Sequence, residues 1–295
     1  MDVSIIIVNY NTRQMTEECI NSIFQKTTGI DFEVILVDNA STDGSQEHFS
    51  HRKDITYIYS EENLGFGRAN NLGYRYATGR HVFLLNSDTL LLNNAVSLLS
   101  HYLDSNQAQQ DKVGCVGCQL VDSNNKPTWS GGTFPSIGMF WQHIMQYTFW
   151  ELYHPTQETK PYNQITDVDY ITGADLLIRR EVIEECGLFD ADFFMYYEET
   201  EMQFRYNRAG FRRRIIIEPK IKHLVGGSYK RQGHSLRGII RSLPSRYIYC
   251  RKTMPIWKNY LVALIHLLMI PRTLICRAPW QEKKELITLI YKNIF

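Results

Sequence analysis

The chain lacks several features that would assign it to a common functional class. Its six cysteines are scattered, and the single Cys-x-x-Cys, Cys115–Cys118, has no second pair, so no structural zinc site is predicted. The N-terminal apolar run Val3–Val8 is short and follows no basic leader, so we expect no signal peptide. The turn after the first predicted strand, Asn9–Thr12, contains no glycine, which argues against a dinucleotide-dependent oxidoreductase. These absences predict a globular protein with buried thiols in a reducing compartment.

Long hydrophobic runs are also absent. The longest, Tyr260–Ile270, is interrupted at Pro271 and falls short of the roughly 20 residues that a spanning helix needs. The formal net charge of +1 conceals an asymmetry, since residues 1–211 carry 14 Lys and Arg against 28 Asp and Glu, whereas residues 212–295 carry 18 against 3. With Trp257 and Trp280 beside it, the basic C-terminal region is typical of helices lying on an anionic membrane surface, or alternatively of a core or dimer interface. We expect no nucleic-acid partner.

The first half of the chain alternates between short apolar runs and segments with helical spacing. This rhythm predicts an α/β fold with a mostly parallel, doubly wound sheet and helices on both faces. The C-terminal region is predicted to be helical and basic. The predicted strands are 3–9, 32–37, 55–59, 81–85, 113–121 and 211–217, and the predicted helices are 13–26, 45–50, 67–77, 180–186, 198–209 and those beyond 232; the stretch 129–150 is left unassigned.

Polar side chains follow two of the predicted strands. Asp38 ends the second strand, and Asn86-Ser87-Asp88 follows the buried run His81–Leu85. Because ligands of open α/β sheets bind beyond the carboxyl ends of the strands, these side chains are candidates for a nucleotide site. Asp88 is suited to hold a divalent cation against a diphosphate, and His223, in a later loop, is a second candidate ligand.

A second group of carboxylates opens a predicted helix. Glu198 and Glu199 follow the aromatic run Phe193–Tyr197, so they are expected to be partly desolvated. Desolvation raises a carboxyl pKa toward the range that suits a general base. Glu199 is therefore predicted to take the proton from an attacking hydroxyl, with Glu198 as the second candidate.

Taken in order, the motifs resemble those of family-2 glycosyltransferases with the GT-A fold, and most closely their rhamnosyltransferase-like members. The resemblance covers about residues 1–230, which we expect to form a nucleotide-sugar glycosyltransferase domain, with 231–295 as a basic amphipathic extension. The matching segments are Ser4–Asn11, Val37–Ser45, Glu62–Asn71, Leu84–Thr89, Gly173–Arg179, Gly187–Asp190, Phe193–Glu199 and His223–Ser228.

The resemblance implies a role for each matching position. Asp88 and His223 would bind Mg or Mn, Glu199 or Glu198 would be the catalytic base, and Gly173, Ala174 and Asp175 would contact the acceptor. Two departures from the family pattern are that Asn86 replaces the first acid of an Asp-x-Asp pair and that Glu199 replaces an aspartate. Residues implied to bind the nucleotide sugar are Asn9, Asn11, Asp38, Arg68, Asn70 and Asn86.

The resemblance further implies an inverting, metal-dependent transfer of a sugar, with rhamnose favoured, from a dTDP- or UDP-linked donor. The expected acceptor is a lipid-linked saccharide in surface polysaccharide biosynthesis. The expected location is cytoplasmic, peripheral on the inner face of the plasma membrane, with a homodimer as a further possibility. The alternative that the sequence leaves open is a membrane-bound scaffold that keeps the fold without the chemistry, which Asn86 favours.

Overall fold

The computed structural model of the protein describes residues 1–148, 161–224 and 236–293. Short strands and helices alternate through its first half, and helices alone make up its C-terminal part. The strands are β1 Val3–Asn9, β2 Phe32–Asn39, β3 Thr56–Ser60, β4 His81–Asn86, β5 Thr89–Leu91, β6 Val113–Cys118, β7 Gly131–Gly132, β8 Thr166–Val168, β9 Tyr170–Ile171, β10 Asp175–Arg179, β11 Arg212–Ile216 and β12 Ile221–His223. The helices are α1 Arg13–Lys26, α2 Ser45–Phe49, α3 Phe66–Tyr74, α4 Ala95–Asp104, α5 Asn106–Gln110, α6 Ile137–Thr148, α7 Arg180–Cys186, α8 Glu198–Arg208, α9 Leu236–Thr253, α10 Ile256–His266, α11 Met269–Ile275 and α12 Trp280–Lys292.

The central sheet has eight strands in the order β3-β2-β1-β4-β10-β6-β11-β8. The strands β3, β2, β1 and β4 are parallel neighbours, and β6 pairs with β11 in parallel. Strand β10 runs antiparallel between β4 and β6, with Asp175 opposite Leu85. The start of β10 therefore lies at the edge where β1, β2 and β4 end. The predicted α/β fold with a mostly parallel sheet is confirmed.

Both faces of the sheet are covered, as the doubly wound prediction requires. Alternate strand residues point to opposite faces, so Ile5 and Ile7 share an apolar cluster with residues of α1 and α4. Ile6 faces Gly73 of α3 and belongs to a second cluster, which includes residues of α7 and α8. The side chains of these three isoleucines are fully buried. Burial on both faces explains why these strands are continuous apolar runs in the sequence.

The C-terminal helices α9–α12 build a third apolar cluster together with α6. Its centre includes Leu243, Val262 and Leu286, all with no exposed surface. Helix α6 belongs to the stretch 129–150 that the sequence left unassigned; residues 149 and 150 lie outside the described residues. The predicted boundary at residue 230 and the glycines after His223 also lie outside them.

Candidate active site

Three of the predicted nucleotide-binding residues lie at the same edge of the sheet. In the parallel register Asn9 stands opposite Asp38, and its neighbour Val8 stands opposite Asn86. The carboxyl ends of β1, β2 and β4 therefore meet, as the motif positions predicted. This edge is where open α/β sheets bind ligands.

The two asparagines of the first motif organise the loops at this edge. The buried Asn9 amide accepts hydrogen bonds from the hydroxyls of Thr12 and Thr16, at 2.8 and 2.9 Å, and donates to Ser41 Oγ at 3.1 Å. Asn11, in the left-handed region with φ of 56°, accepts from Thr42 N at 2.7 Å. Both side chains tie the loop after β1 to the loop after β2, and Asn11 is the exposed member of the pair.

Asp38 is fully buried at the end of β2. Its carboxylate accepts a hydrogen bond from Ser41 N at 3.0 Å and another from the Tyr57 hydroxyl at 2.9 Å. Burial, followed by the Asp38 hydrogen bond and charge, raises the pKa of Tyr57, so the phenol remains a donor. Asp38 is thus held in one orientation beneath the loop rather than standing free at the surface.

The third matching segment folds into the start of α3. Arg68 is exposed, and its Nε donates to Leu64 O at 2.8 Å. Asn70 is buried, and its amide donates to Phe66 O one turn earlier. Arg68 is therefore accessible from solvent, whereas the side chain of Asn70 is buried and bonded within its own helix.

Asp88 and His223 are brought together although 135 positions separate them in the chain. The short strands β5 and β12 pair antiparallel with His223 opposite Thr89, and Leu224 N donates to Asp88 O at 2.8 Å. His223 Nε2 and Asp88 Oδ1 are 3.1 Å apart, and both side chains are partly exposed. The predicted juxtaposition of these two residues is therefore present.

The spacing of this pair fits two adjacent ligands of one cation. Two donors at right angles, each about 2.1 Å from a Mg²⁺ ion, are about 3.0 Å apart. Within the described ranges, no group of three or more His, Cys, Asp or Glu residues could hold a metal ion. A cation at this pair would need oxygens from the substrate and from water to complete its coordination. The described residues would thus supply two positions of such a substrate-dependent site.

The loop before β10 carries the three residues predicted to contact an acceptor. Ala174 O accepts a hydrogen bond from Asn86 N at 3.1 Å, which joins this loop to the end of β4. Asp175 is fully buried, its Oδ2 accepts from Cys118 N at 2.7 Å, and burial raises its pKa to about 7. Ala174 is buried as well, so of the three residues only Gly173 is accessible at the site. Contact of Ala174 and Asp175 with the acceptor stays a prediction, and both side chains are buried in this structure.

Glu198 and Glu199 begin α8 directly beside this loop. A Cβ placed on Gly67 would lie 3.7 Å from Glu198 Cβ, and one on Gly173 would lie 3.8 Å from Glu199 Cβ. Glu198 is 4% exposed, and burial together with the neighbouring Glu199 charge raises its pKa well above the usual carboxyl value. Burial also raises the pKa of Glu199, which remains partly exposed. Glu198 is therefore the buried member of the pair, and Glu199 is the member with exposed surface.

Glu199 lines a cavity of about 230 Å³ that the sequence did not predict. Its walls include several aromatic side chains and come from four separate segments of the chain. No single sequence motif therefore predicts the cavity. The repeated tyrosines before Glu198 were the available signal. The lining residues are Pro135, Met139, Phe140, His143, Tyr170, Tyr196, Tyr197, Glu199, Thr200 and Ser242.

The chain is similar to several named glycosyltransferases. It is 31% identical over 211 residues to the low-salt glycan biosynthesis hexosyltransferase Agl10 of Haloferax volcanii, a match covering 70% of this chain and 62% of the relative. It is 33% identical over 135 residues to the abequosyltransferase RfbV of Salmonella typhimurium, covering 42% of this chain and 40% of the relative. It is 22% identical over 224 residues to the dTDP-rhamnosyl transferase RfbF of Shigella flexneri, covering 75% and 68%. The chain thus spans less than two thirds of the first two relatives.

The fold resembles the crystal structure of S. aureus TarS 1–349, with a TM-score of 0.54, 13% identity and coverage of 99% of this chain and 71% of that one. This likeness concerns the fold alone and agrees with the expected GT-A type. Residues 4–187 match the family described as Glycosyl transferase family 2. This range contains the carboxyl ends of β1, β2 and β4, which form the nucleotide edge. The chain belongs to glycosyl transferase family 2.

Proposed function

We propose that the protein transfers a sugar from a nucleoside diphosphate donor to a hydroxyl of a saccharide acceptor. The observation that carries this proposal is the arrangement around Glu199. A carboxyl group with a raised pKa lines an aromatic cavity, and the Cβ of the same residue lies close to Gly173 in the loop before β10. That loop is hydrogen-bonded to the end of β4, where the polar nucleotide edge begins.

The donor would bind along the edge formed by Asn11, Asp38 and Asn86, with Arg68 toward its diphosphate. Asp88 and His223 would hold Mg²⁺ or Mn²⁺ there, and the bound cation would neutralise charge on the departing diphosphate. The protein itself contributes the fixed positions of the binding loops. Its buried hydrogen bonds fix the loops, so the binding groups need not reorganise when the donor arrives.

Glu199 would act as the general base. Its carboxylate would accept the proton of the acceptor hydroxyl while the hydroxyl oxygen bonds to the anomeric carbon of the donor sugar. The bond from that carbon to the diphosphate breaks, and the nucleoside diphosphate leaves. With the acceptor in the cavity that Glu199 lines, the hydroxyl would attack from the face opposite the diphosphate and invert the anomeric configuration, which is consistent with the family.

The cavity is suited to a saccharide acceptor. Sugar rings present apolar C–H faces, which aromatic walls such as Tyr170, Tyr196 and Phe140 can cover, and hydroxyls, which polar atoms at the rim can bind. For the donor, we favour dTDP- or UDP-linked rhamnose or a similar hexose. The similarity to proteins named as a hexosyltransferase and a dTDP-rhamnosyl transferase supports this choice.

We further propose that α10 and α11 lie on an anionic membrane surface, where a lipid-linked acceptor of polysaccharide synthesis would be found. The stretch Ile256–Ile275, which contains α10 and α11, is long and apolar enough to cross a membrane by length and composition alone, whereas the run Tyr260–Ile270 taken from the sequence is too short. Its Val262 and Met269 side pack into the helical core, which favours a surface position. The opposite side exposes Ile256, Trp257, Tyr260, Leu264, Leu268, Leu274 and Ile275.

The experiment that tests the function measures nucleoside diphosphate release from dTDP-rhamnose and UDP-sugars with Mn²⁺ present. Glu199→Gln should lower the turnover by about 10²–10⁴-fold, since a positioned general base contributes that much. Asp88→Ala should abolish the Mn²⁺-dependent part of donor binding in a thermal-shift assay, because a ligand bound to the native state raises its stability.

The matched control is Glu185→Gln, since Glu185 is an exposed carboxylate on α7, away from the cavity. It should keep wild-type turnover. Equal turnover in the wild type, Glu199→Gln and Glu185→Gln would refute the mechanism. Donor binding by the wild type without release of nucleoside diphosphate from any donor would favour the non-catalytic scaffold instead.

A further inference from the structure

The segment that presents Glu199 has an unfavourable backbone. Tyr196 and Tyr197 have φ angles of 72° and 65°, in the left-handed region that bulky side chains rarely adopt. Tyr197 is also the residue immediately before α8, so its conformation sets the direction in which Glu198 and Glu199 leave the loop. Such a conformation persists only where surrounding contacts impose it.

Helix α9 supplies those contacts. Ser245 Oγ donates to Met195 O at 2.7 Å, directly before the two tyrosines, and Arg246 Nε donates to the Tyr197 hydroxyl at 3.1 Å. The Tyr249 ring packs against the Tyr197 ring with centroids 5.5 Å apart. Further along the same helix, Lys252 Nζ bridges Asp190 and Asp192 at 2.8 and 2.7 Å.

Arg246 is itself held from two other helices. Its guanidinium lies 5.4 Å from the centroid of the Phe140 ring on α6, and Nη1 donates to His266 Nε2 on α10 at 3.3 Å. Burial, followed by the Arg246 charge, lowers the pKa of His266 to about 3. The imidazole is therefore neutral and able to accept this hydrogen bond. Arg246 thus connects the apolar helix α10 with the segment that precedes Glu199.

We propose that α9 belongs to the catalytic apparatus, with Arg246 and Ser245 as positioning residues that hold Met195–Tyr197 and thereby aim Glu199 at the cavity. The inference rests on the proposed role of Glu199. Neither residue needs to touch the substrate for this role, because both act on the backbone or side chain of the preceding loop. The family match ends at residue 187, so these contacts come from a region beyond it.

The kinetic test compares Arg246→Ala, Arg246→Lys and Arg251→Ala. Arg251 is a matched control on the same helix, exposed and bonded to Asn293. We expect Arg246→Ala to lower kcat by about tenfold to a hundredfold, since a misplacement of about 1 Å can have such an effect. The KM for the donor should stay within about twofold because the nucleotide edge is untouched. Arg246→Lys should recover part of the loss, and Arg251→Ala should match the wild type.

Hydrogen exchange provides a readout that needs no substrate. Amides of residues 194–199 should exchange faster in Arg246→Ala and in Ser245→Ala, whereas those of β1 and β2 should not change. If Arg246→Ala does not fold, hydrogen exchange of residues 194–199 in Ser245→Ala alone tests the inference. Unchanged exchange at 194–199, or a loss in Arg246→Ala confined to KM, would overturn the inference. Were the wild type to lack transferase activity altogether, the proposed function would fail while exchange still decided whether α9 holds the loop.

Discussion

The two sides of the candidate site are built by different means. On the nucleotide side, buried polar groups such as Asn9 and Asp38 hydrogen-bond to residues of the adjacent loops. On the cavity side, aromatic side chains from β9, α6 and the loop before α8 line the walls, together with Glu199 of α8 and Ser242 of α9. The residues of the nucleotide side belong to short contiguous sequence motifs, whereas the cavity side forms only when segments distant in the sequence pack together. Under the proposed function, the polar surface would bind the charged donor and the aromatic surface would bind the saccharide acceptor.

Of the three effects predicted below, the largest should come from the exposed apolar face of α10, in the helical cluster that also supplies α6 and α9 to the cavity side. Trp257 and Leu264 are 60% and 52% exposed on α10, and burying a large apolar side chain contributes roughly 1.5–3 kcal/mol. Replacing both by serine should weaken binding to anionic vesicles at least about tenfold. Co-sedimentation at low and high salt measures this, and binding should fall as salt screens the basic residues nearby.

The control for this comparison is Tyr76→Ser, which removes a similarly exposed aromatic side chain near the end of α3. It should bind vesicles as the wild type does, and nucleotide binding should be equal in all variants. Vesicle binding that is unaffected by the double substitution, together with conversion of a dimer into a monomer, would instead assign this face to a homodimer.

A smaller effect is expected at Glu198, where the two sides meet. The pKa of Glu198 is raised in the folded protein. At pH values between the ordinary carboxyl pKa and this raised pKa, Glu198 is therefore protonated in the folded state and ionised in the unfolded state. Stability therefore falls as pH rises through that range. Glu198→Gln removes this penalty, so its melting temperature should exceed that of the wild type more at pH 8 than at pH 5.

Thermal melts across this pH range measure the difference, at about 2–4 °C for each kcal/mol in a chain of comparable size. Glu181→Gln replaces an exposed carboxylate and should show no pH-dependent difference. A Glu198→Gln melting curve parallel to that of the wild type at every pH would mean that Glu198 is ionised in the folded protein.

The sequence predicted the nucleotide side well because apolar strands and polar strand ends are local patterns. The strand Val3–Asn9 and the helix Arg13–Lys26 were predicted to the residue. The pairing of Asp88 with His223 was anticipated from the family motifs, but the short strands that create it were not. The burial of Asp175 was missed because its role followed from motif position, whereas its solvent exposure depends on β10 entering the sheet between β4 and β6.

The cavity and the contacts of α9 could not be predicted in the same way. Phe140, Tyr197 and Arg246 are separated by tens of residues, and each belongs to a segment with an ordinary helical or aromatic pattern. Their proximity arises only when α6 and α9 pack together in the C-terminal cluster. The apolar periodicity of one sequence predicts each helix, but it does not predict which helices pack against each other.

The smallest expected effect is on the nucleotide side. Tyr57→Phe removes one of the two hydrogen bonds that orient the Asp38 carboxylate and leaves Ser41 N as the other. A single hydrogen bond contributes about 0.5–1.5 kcal/mol, so the affinity for UDP or dTDP should fall by about two- to tenfold. Tyr59→Phe, two residues further along β3 and partly exposed, is the control and should bind as the wild type does. Titration calorimetry separates the two variants. Equal affinities would mean that the buried hydrogen bonds beneath the nucleotide edge support the fold without orienting Asp38 for a ligand, and the contrast between the two sides of the site would then lose its basis.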